Sequence, residues 1–273
     1  MKIAHEAPLS LMKYVQRVTD YDYALASLFD KVEAYYDYFL QAKHAGRTIL
    51  LDNGVFEEGL AMETNVYADW IINLAPQEYI VPDVMGDMHN TIINFQKWLV
   101  EYSGLWGKKI GVVHGATIEE FVECYRFMSA HADKIAINFS QPFYQDLYPQ
   151  QVGINKEVKQ AQGRLAIIGH LWSLGIWNTK KPHHLLGSSL PSEFGVYNEN
   201  SVSVRDVRRN IETIDTSNPV VYAITQGRYP KNIGSIDTKE STKLKDLITT
   251  PYSDKLLVDT IANITQFRTQ NNL

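Results

Sequence analysis

Eight short apolar runs alternate along the chain with segments of helical period, and this alternation restricts the fold more than any other feature. The runs are Lys2 to His5, a weak one within Tyr21 to Leu28, Ile49 to Asp52, Glu78 to Asp83, Lys109 to Val113, Asp133 to Asn138, His184 to Gly187 and Ile211 to Asp215. Between them apolar residues recur at helical spacing, as at Val32, Tyr35, Tyr36, Phe39 and Leu40, and again at Ile92, Ile93, Phe95, Trp98 and Leu99. Asn65 to Leu74 predicts a helix with Val66, Ile71 and Leu74 inward, and Thr117 with Glu120 forms a capping box for a helix over Ile118 to Ala130. Leu165 to Ile168 has strand composition, but Val158, Leu165, Ile168, Leu171 and Leu174 keep helical spacing over a longer window, so the segment reads as helix. Val202 to Asn210 reads as a basic helix. Strands that alternate with helices predict a parallel sheet, here a (β/α)8 barrel. The expectation is a single α/β domain over residues 1–273, with the apolar stretch Val220 to Thr225 and a C-terminal helix from Asp254 to Arg268 packed after closure.

The totals exclude some classes. No run approaches the roughly 18 apolar residues of a membrane span, and the start has no secretory apolar region, so a cytoplasmic protein is expected. The single cysteine, Cys124, rules out an internal disulfide and a multi-cysteine zinc site, and its helical setting marks it as core. Adjacent histidines on a strand point to opposite faces, so His183 and His184 do not make an all-histidine site, and no metal or cofactor is expected. A net charge of −5 argues against a broad grip on a polyanion. Local clusters (Arg205, Arg208 and Arg209, or Arg228 with Lys231) could still contact phosphates, or could be ordinary solvated surface.

Several runs end on polar residues in turn-forming context, at Asp52-Asn53-Gly54, at Pro82-Asp83, at His114-Gly115 and at Asp215 ahead of Thr216-Ser217-Asn218-Pro219. In a parallel barrel such ends lie on one face, where these folds place their chemistry. Asp52, Asp83 and Asp215, with His114, Asn138 and Gly187, are expected to converge there. Carboxylates so placed suit attack on an anomeric carbon with proton handling by a second carboxylate, glycoside hydrolysis, or metal binding by Asp with His. Plainer roles fit too, because Asp52 is good turn chemistry and Asp215 could be a cap. The aromatic loop containing Phe139, Phe143, Tyr144 and Tyr148 is either a lid or base-stacking surface, or simple packing over the barrel mouth.

From about residue 48 to 228 the order of motifs resembles the tRNA-guanine transglycosylase family, the queuine tRNA-ribosyltransferases and their DNA-acting relatives. Leu51-Asp52-Asn53-Gly54-Val55-Phe56 is similar to the family's Asp-Ser-Gly-Gly-Phe, and Val81-Pro82-Asp83 stands where the family has a base-recognising Asp. Val112-Val113-His114-Gly115 resembles Val-Gln-Gly-Gly, Ala136-Ile137-Asn138-Phe139 falls at Ile-Gly-Gly-Leu, and His184-Leu185-Leu186-Gly187 resembles Tyr-Leu-Met-Gly. Thr213-Ile214-Asp215 lies where Met-Phe-Asp carries the nucleophile. The resemblance implies a pentosyltransferase that exchanges guanine for a 7-deazaguanine-type base in nucleic acid, through a covalent bond to Asp215. Asp52 would be the second catalytic group, and Asp83, His114, Gly115, Asn138, Gly187 and Phe56 would bind substrate. The family's Cys-x-Cys-x-x-Cys and His zinc subdomain is absent, which slightly favours DNA over tRNA; a homodimer or a partner subunit is compatible with the resemblance, and whether a partner supplies docking stays open. The alternatives are a catalytically silent nucleic-acid or partner-binding relative, and a ribosyl hydrolase or transferase acting on free nucleosides.

Overall fold

A computed structural model describes residues 1–147, 156–188, 190–198, 207–231 and 242–273. The strands are β1 Lys2–His5, β2 Asp22–Leu25, β3 Ile49–Asp52, β4 Glu78–Ile80, β5 Lys108–Val113, β6 Lys134–Asn138, β7 His183–Leu186 and β8 Ile211–Thr216. They form one eight-stranded sheet in the order β1-β8-β7-β6-β5-β4-β3-β2, parallel at every pair whose register is defined. With helices between successive strands this is a (β/α)8 barrel. The helices are α1 Leu9–Val15, α2 Glu33–His44, α3 Val55–Glu58, α4 Thr64–Leu74, α5 Met88–Glu101, α6 Ile118–His131, α7 Lys156–Ser173, α8 Asn218–Thr225, α9 Leu244–Leu247 and α10 Asp254–Gln270. Two compact units are distinguished, residues 21–137 with 181–183, and residues 1–20, 138–180 and 184–273.

In the unit of residues 21–137, β2 to β5 carry uninterrupted apolar runs because parallel strands are covered on both faces. The β4 strand stops at Ile80, short of the expected Asp83, because Pro82 has no N–H to give the ladder. The α4 helix buries Tyr67, Ala68, Ile71 and Leu74, whereas Val66, expected inward, lies 36% exposed. Tyr67 takes the inward position because its hydroxyl reaches the carbonyl oxygens of Leu51 and Ile80, at 3.0 and 2.9 Å. The capping box of α6 forms with a one-residue offset: Thr117 Oγ1 accepts from Glu120 N, while Glu120 Oε2 accepts from Ala116 N. Cys124 is buried in α6 as core. At the opposite ends of the strands Lys134 is wholly buried, with its Nζ 2.5 Å from Glu78 Oε2, a charge tolerated there because it is paired.

In the other unit β1 pairs with β8 in the register Ile3↔Ile214 and Ala4↔Asp215. The stretch Val220 to Thr225 is the helix α8 that follows β8, and α10 packs against it. Asn263 of α10 donates to the carbonyls of Pro219 and Gly227 and accepts from Tyr229 N, tying off both ends of α8. The segment Leu165 to Ile168 lies inside α7, so the longer periodicity prevails over local strand composition. Residues 207–210 of the expected basic helix are helical, and its earlier part lies outside the described residues. The aromatic loop resolves toward packing in its described part. Phe143 and Tyr144 are buried, Gly163 of α7 has no room for a side chain against Tyr144, and Phe139 packs on Val158, Ala161 and Leu190. Tyr148 and Pro149 lie outside the described residues.

His5, at the end of β1, meets Phe267 edge-on at 5.8 Å, and both its ring nitrogens are sealed without a hydrogen bond among the described residues. Burial, assisted by the Arg268 charge and opposed by Asp20, lowers its pKa from 6.5 to about 3. The unfolded chain therefore takes up a proton below about pH 6.5 that the folded chain refuses until about pH 3, and stability falls as the pH drops through that window. His5→Leu should make the urea midpoint less acid-sensitive than wild type between about pH 7 and about pH 4. Parallel midpoint curves for the two proteins would refute this proton linkage.

Candidate active site

In the unit of residues 21–137, Asn53, Asp83 and His114 come together. Each lies just beyond its strand, after β3, β4 and β5 respectively. Asp83 is 2% exposed; Asn53 Nδ2 donates to its Oδ1 at 2.8 Å, and His114 Nε2 lies 2.6 Å from its Oδ2. The His114 tautomer follows from its other partner. Gly86 N can only donate, and it donates to His114 Nδ1 at 3.2 Å, so the ring proton sits on Nε2 and points at Asp83. Both ring nitrogens are thereby used within the protein. Asp52 accepts from the Tyr23 hydroxyl at 2.7 Å through Oδ2 and from Gly54 N at 3.1 Å through Oδ1. The second bond is the turn role expected of Asp before Asn-Gly. Burial, with the Asp52 charge next in weight, holds the Tyr67 phenol protonated far above its ordinary range.

The other unit brings Asp215, His184 and Gly187 together. His184 Nε2 lies 2.9 Å from Asp215 Oδ1, its Nδ1 lies 2.9 Å from Thr213 Oγ1, and Gly187 N donates to Asp215 Oδ1 at 3.1 Å. A carboxylate can only accept, so His184 donates to Asp215 from Nε2, while its Nδ1 shares a hydrogen bond with the Thr213 hydroxyl. Both bonds to Asp215 land on Oδ1; Oδ2 accepts none among the described residues. The sequence placed Asp215 in an open turn, yet the residue is only 4% exposed. The turn opens beyond it, where Asn218 N bonds to Thr216 Oγ1 and not to Asp215, so Asp215 is not the cap of α8.

The remaining expected residues are placed as follows. Asn138 ends β6 and accepts from Gln141 Nε2 at 2.6 Å. Phe56 is 56% exposed on α3, and Gly115 packs against the first turn of α6, where an added methyl would lie 2.5 Å from Phe121 N. His183 bonds to the Tyr125 hydroxyl and His184 to Asp215, as alternation on a strand requires. No group of three or more metal-ligating side chains occurs among the described residues. No helix among them is long and apolar enough to cross a membrane. Arg228 pairs with Asp259 at 3.3 Å, while Arg205 lies outside the described residues. Sequence reasoning missed the partners of the carboxylates. His184 was visible in principle, since Thr213 and Asp215 share one face of β8 by alternation and the neighbouring strand β7 carries a donor ring.

No family model matches the chain, and no curated protein matches it. Among solved structures it is similar to a Coccidioides immitis protein assigned as a fructose-1,6-biphosphate aldolase, at 10% identity and a TM-score of 0.33, over 97% of this chain and 94% of that one. It is also similar to oxaloacetate acetylhydrolase in complex with 3,3-difluorooxalacetate, at 10% identity and a TM-score of 0.32, over 98% of both chains. Neither is a transglycosylase, and neither description names a nucleic acid. The expectation of a tRNA-guanine transglycosylase that exchanges guanine for a 7-deazaguanine in DNA or tRNA is corrected accordingly, and with it nucleic acid as the partner and the silent or nucleoside-level variants of that family. The motifs that carried it were three to six residues long, of a kind that any barrel with polar strand ends supplies. The geometry departs from it as well, because the His114 ring given the place of a base-binding Gln is spent on Asp83 and Gly86.

Asn53 supplies one of the two donors that hold buried Asp83. Asn53→Ala should cost about 1–3 kcal/mol of folding stability, measured by denaturant titration, because the carboxylate oxygen it served stays buried. A loss within a few tenths of a kcal/mol would show that the bond contributes nothing net.

Proposed function

We propose that the chain is an enzyme that transfers a proton to or from a small polar substrate, with the Asp215 carboxylate as general base. One observation carries this reading: among the described residues Asp215 holds both of its donors on Oδ1 and none on Oδ2. A carboxylate serving only the fold would be expected to spend both oxygens, as Asp83 does. The position supports the same conclusion, since Asp215 lies toward the C-terminal end of β8, the end at which barrels of this kind carry catalytic side chains. His184 acts as the positioning group. Its ring, held by Thr213 on the far side, keeps Oδ1 engaged and so fixes the direction in which Oδ2 points. The 4% exposure of Asp215 suits a small molecule that can enter and be desolvated there better than a polymer.

The test is hydrogen–deuterium exchange. The protein is incubated in D2O with mixtures of small oxo-acids, hydroxy-acids, aldehydes and ketones, and loss of C–H signals is followed by NMR. Asp215→Asn preserves an acceptor for His184 and Gly187, so its melting temperature should stay close to that of wild type. Exchange should fall by about 10²–10⁴-fold, the range for loss of a general base. Exchange retained in the folded variant would end the assignment of Asp215. Saturable binding of a ligand that neither exchanges nor reacts would instead make the chain a binding protein.

A further inference from the structure

The same side of the molecule holds a buried cation that proton transfer at Asp215 does not itself require. Arg164, projecting from α7, is wholly buried. Its guanidinium lies between the faces of Phe139 and Phe194, at 5.3 and 5.7 Å from their ring centres, and pairs with Glu193 through Nε at 2.8 Å and through Nη2. Glu193 is fixed in turn by the Ser188 hydroxyl at 2.6 Å. The guanidinium also bonds to the backbone at the end of β7: Nη1 donates to the Leu186 carbonyl at 2.9 Å, and Nη2 to the Gly187 carbonyl at 2.8 Å.

The Leu186 carbonyl and the Gly187 N–H belong to one peptide unit. That single peptide therefore accepts from Arg164 at its oxygen and donates to Asp215 Oδ1 at its nitrogen. Hydrogen bonds in series polarise one another, and a charged donor on the oxygen makes the N–H at the other end a stronger donor. We infer that Arg164, held by Glu193, is a positioning residue for Asp215 and acts on it through the Leu186–Gly187 peptide. The inference rests on the reading of Asp215 as the reactive group for its purpose, though the coupling itself can be measured without a substrate. A planar fork that meets two successive carbonyls and a carboxylate at once is a task for Arg; the single ammonium of Lys cannot reproduce it.

The sequence permits a direct test. Only Gly175 and Gly187 follow a leucine, so protein labelled with carbonyl-13C leucine and 15N glycine gives two cross-peaks in an HNCO spectrum, one of them the coupled peptide. The Gly187 peak reports the Leu186 carbonyl carbon and the Gly187 N–H together. Gly175 is the control, because its N–H caps α7, the helix that carries Arg164, by bonding to the Trp172 carbonyl. In Arg164→Lys the Leu186 carbonyl carbon should shift and the Gly187 amide proton should move upfield, with the Gly175 peak in place. In Asp215→Asn, read from the other end, the Leu186 carbonyl carbon should shift together with the Gly187 N–H. The inference is overturned if Arg164→Lys moves the carbonyl carbon but leaves the Gly187 N–H unmoved, or if it moves both peaks alike, as a loosened helix would. Should Arg164→Lys fail to fold, Asp215→Asn decides alone, and an unmoved Leu186 carbonyl carbon overturns the coupling. None of these outcomes depends on turnover, so failure of the proton-transfer assay leaves them legible.

Discussion

A carboxylate at the end of a buried strand must be given donors, and the arrangement of polar groups in this barrel follows from that requirement. Removing an ionised group from water without compensation costs far more than any single contact returns. Asp83 and Asp215 meet the demand in the same way, each with an imidazole Nε2–H from an adjacent strand position and one further N–H. For Asp83 the second donor is an Asn side chain; for Asp215 it is backbone. The backbone solution needs a chain that turns back immediately after β7, and Gly187 supplies it with a φ of 65°, a left-handed conformation in which other residues are strained. The side-chain partners then need their own fixing. Gly86 N serves His114, Thr213 serves His184, and Arg164 with Glu193 holds the turn that carries Gly187.

Much of the barrel was legible in the sequence because its evidence is local. Period-two and helical patterns give the strands and helices, and even the ambiguous Leu165 to Ile168 yields to a longer window. The misplacement of Val66 shows where the local signal stops. Hydropathy alone favours Val over Tyr for the interior, but Tyr67 brings a hydroxyl that two strand carbonyls can use, and such a partner is invisible until the strands are side by side. The carboxylates were found by the same local signal, a polar residue closing an apolar run. Their histidines were not, because each pairing crosses about thirty residues of chain and depends on which strands are neighbours. Knowing that β7 lies beside β8 turns Thr213, Asp215 and His184 from separate residues into one cluster.

The transglycosylase resemblance failed for a related reason. Short segments such as Leu-Asp-Asn-Gly or His-Leu-Leu-Gly describe strand-to-turn transitions, and strand-to-turn transitions recur in order in every alternating barrel. Order and spacing therefore tested the fold, which stands, more than the reaction. The surroundings of a residue discriminate better than the residue itself. Asp83, just beyond β4, and Asp215, near the end of β8, are the same side chain, yet one has both oxygens occupied and the other has one oxygen without a bond among the described residues.

The buried histidines extend that argument. His5, His114 and His184 each lie at or just beyond a buried strand, and the sequence offers no means of ranking them. In the fold they separate by partner. His114 and His184 each donate from Nε2 to a carboxylate and bond at Nδ1 to a second group, Gly86 N or the Thr213 hydroxyl, which engages both nitrogens and fixes the ring's orientation. His5 occurs on the opposite alternation to Asp215, since Ala4 and not His5 is the register partner of that residue, and it meets Phe267 of α10 in place of a carboxylate. One step of pleat thus separates a ring built into a polar network from a ring sealed among apolar side chains. The first orients a carboxylate, and the second can contribute only a penalty for protonation.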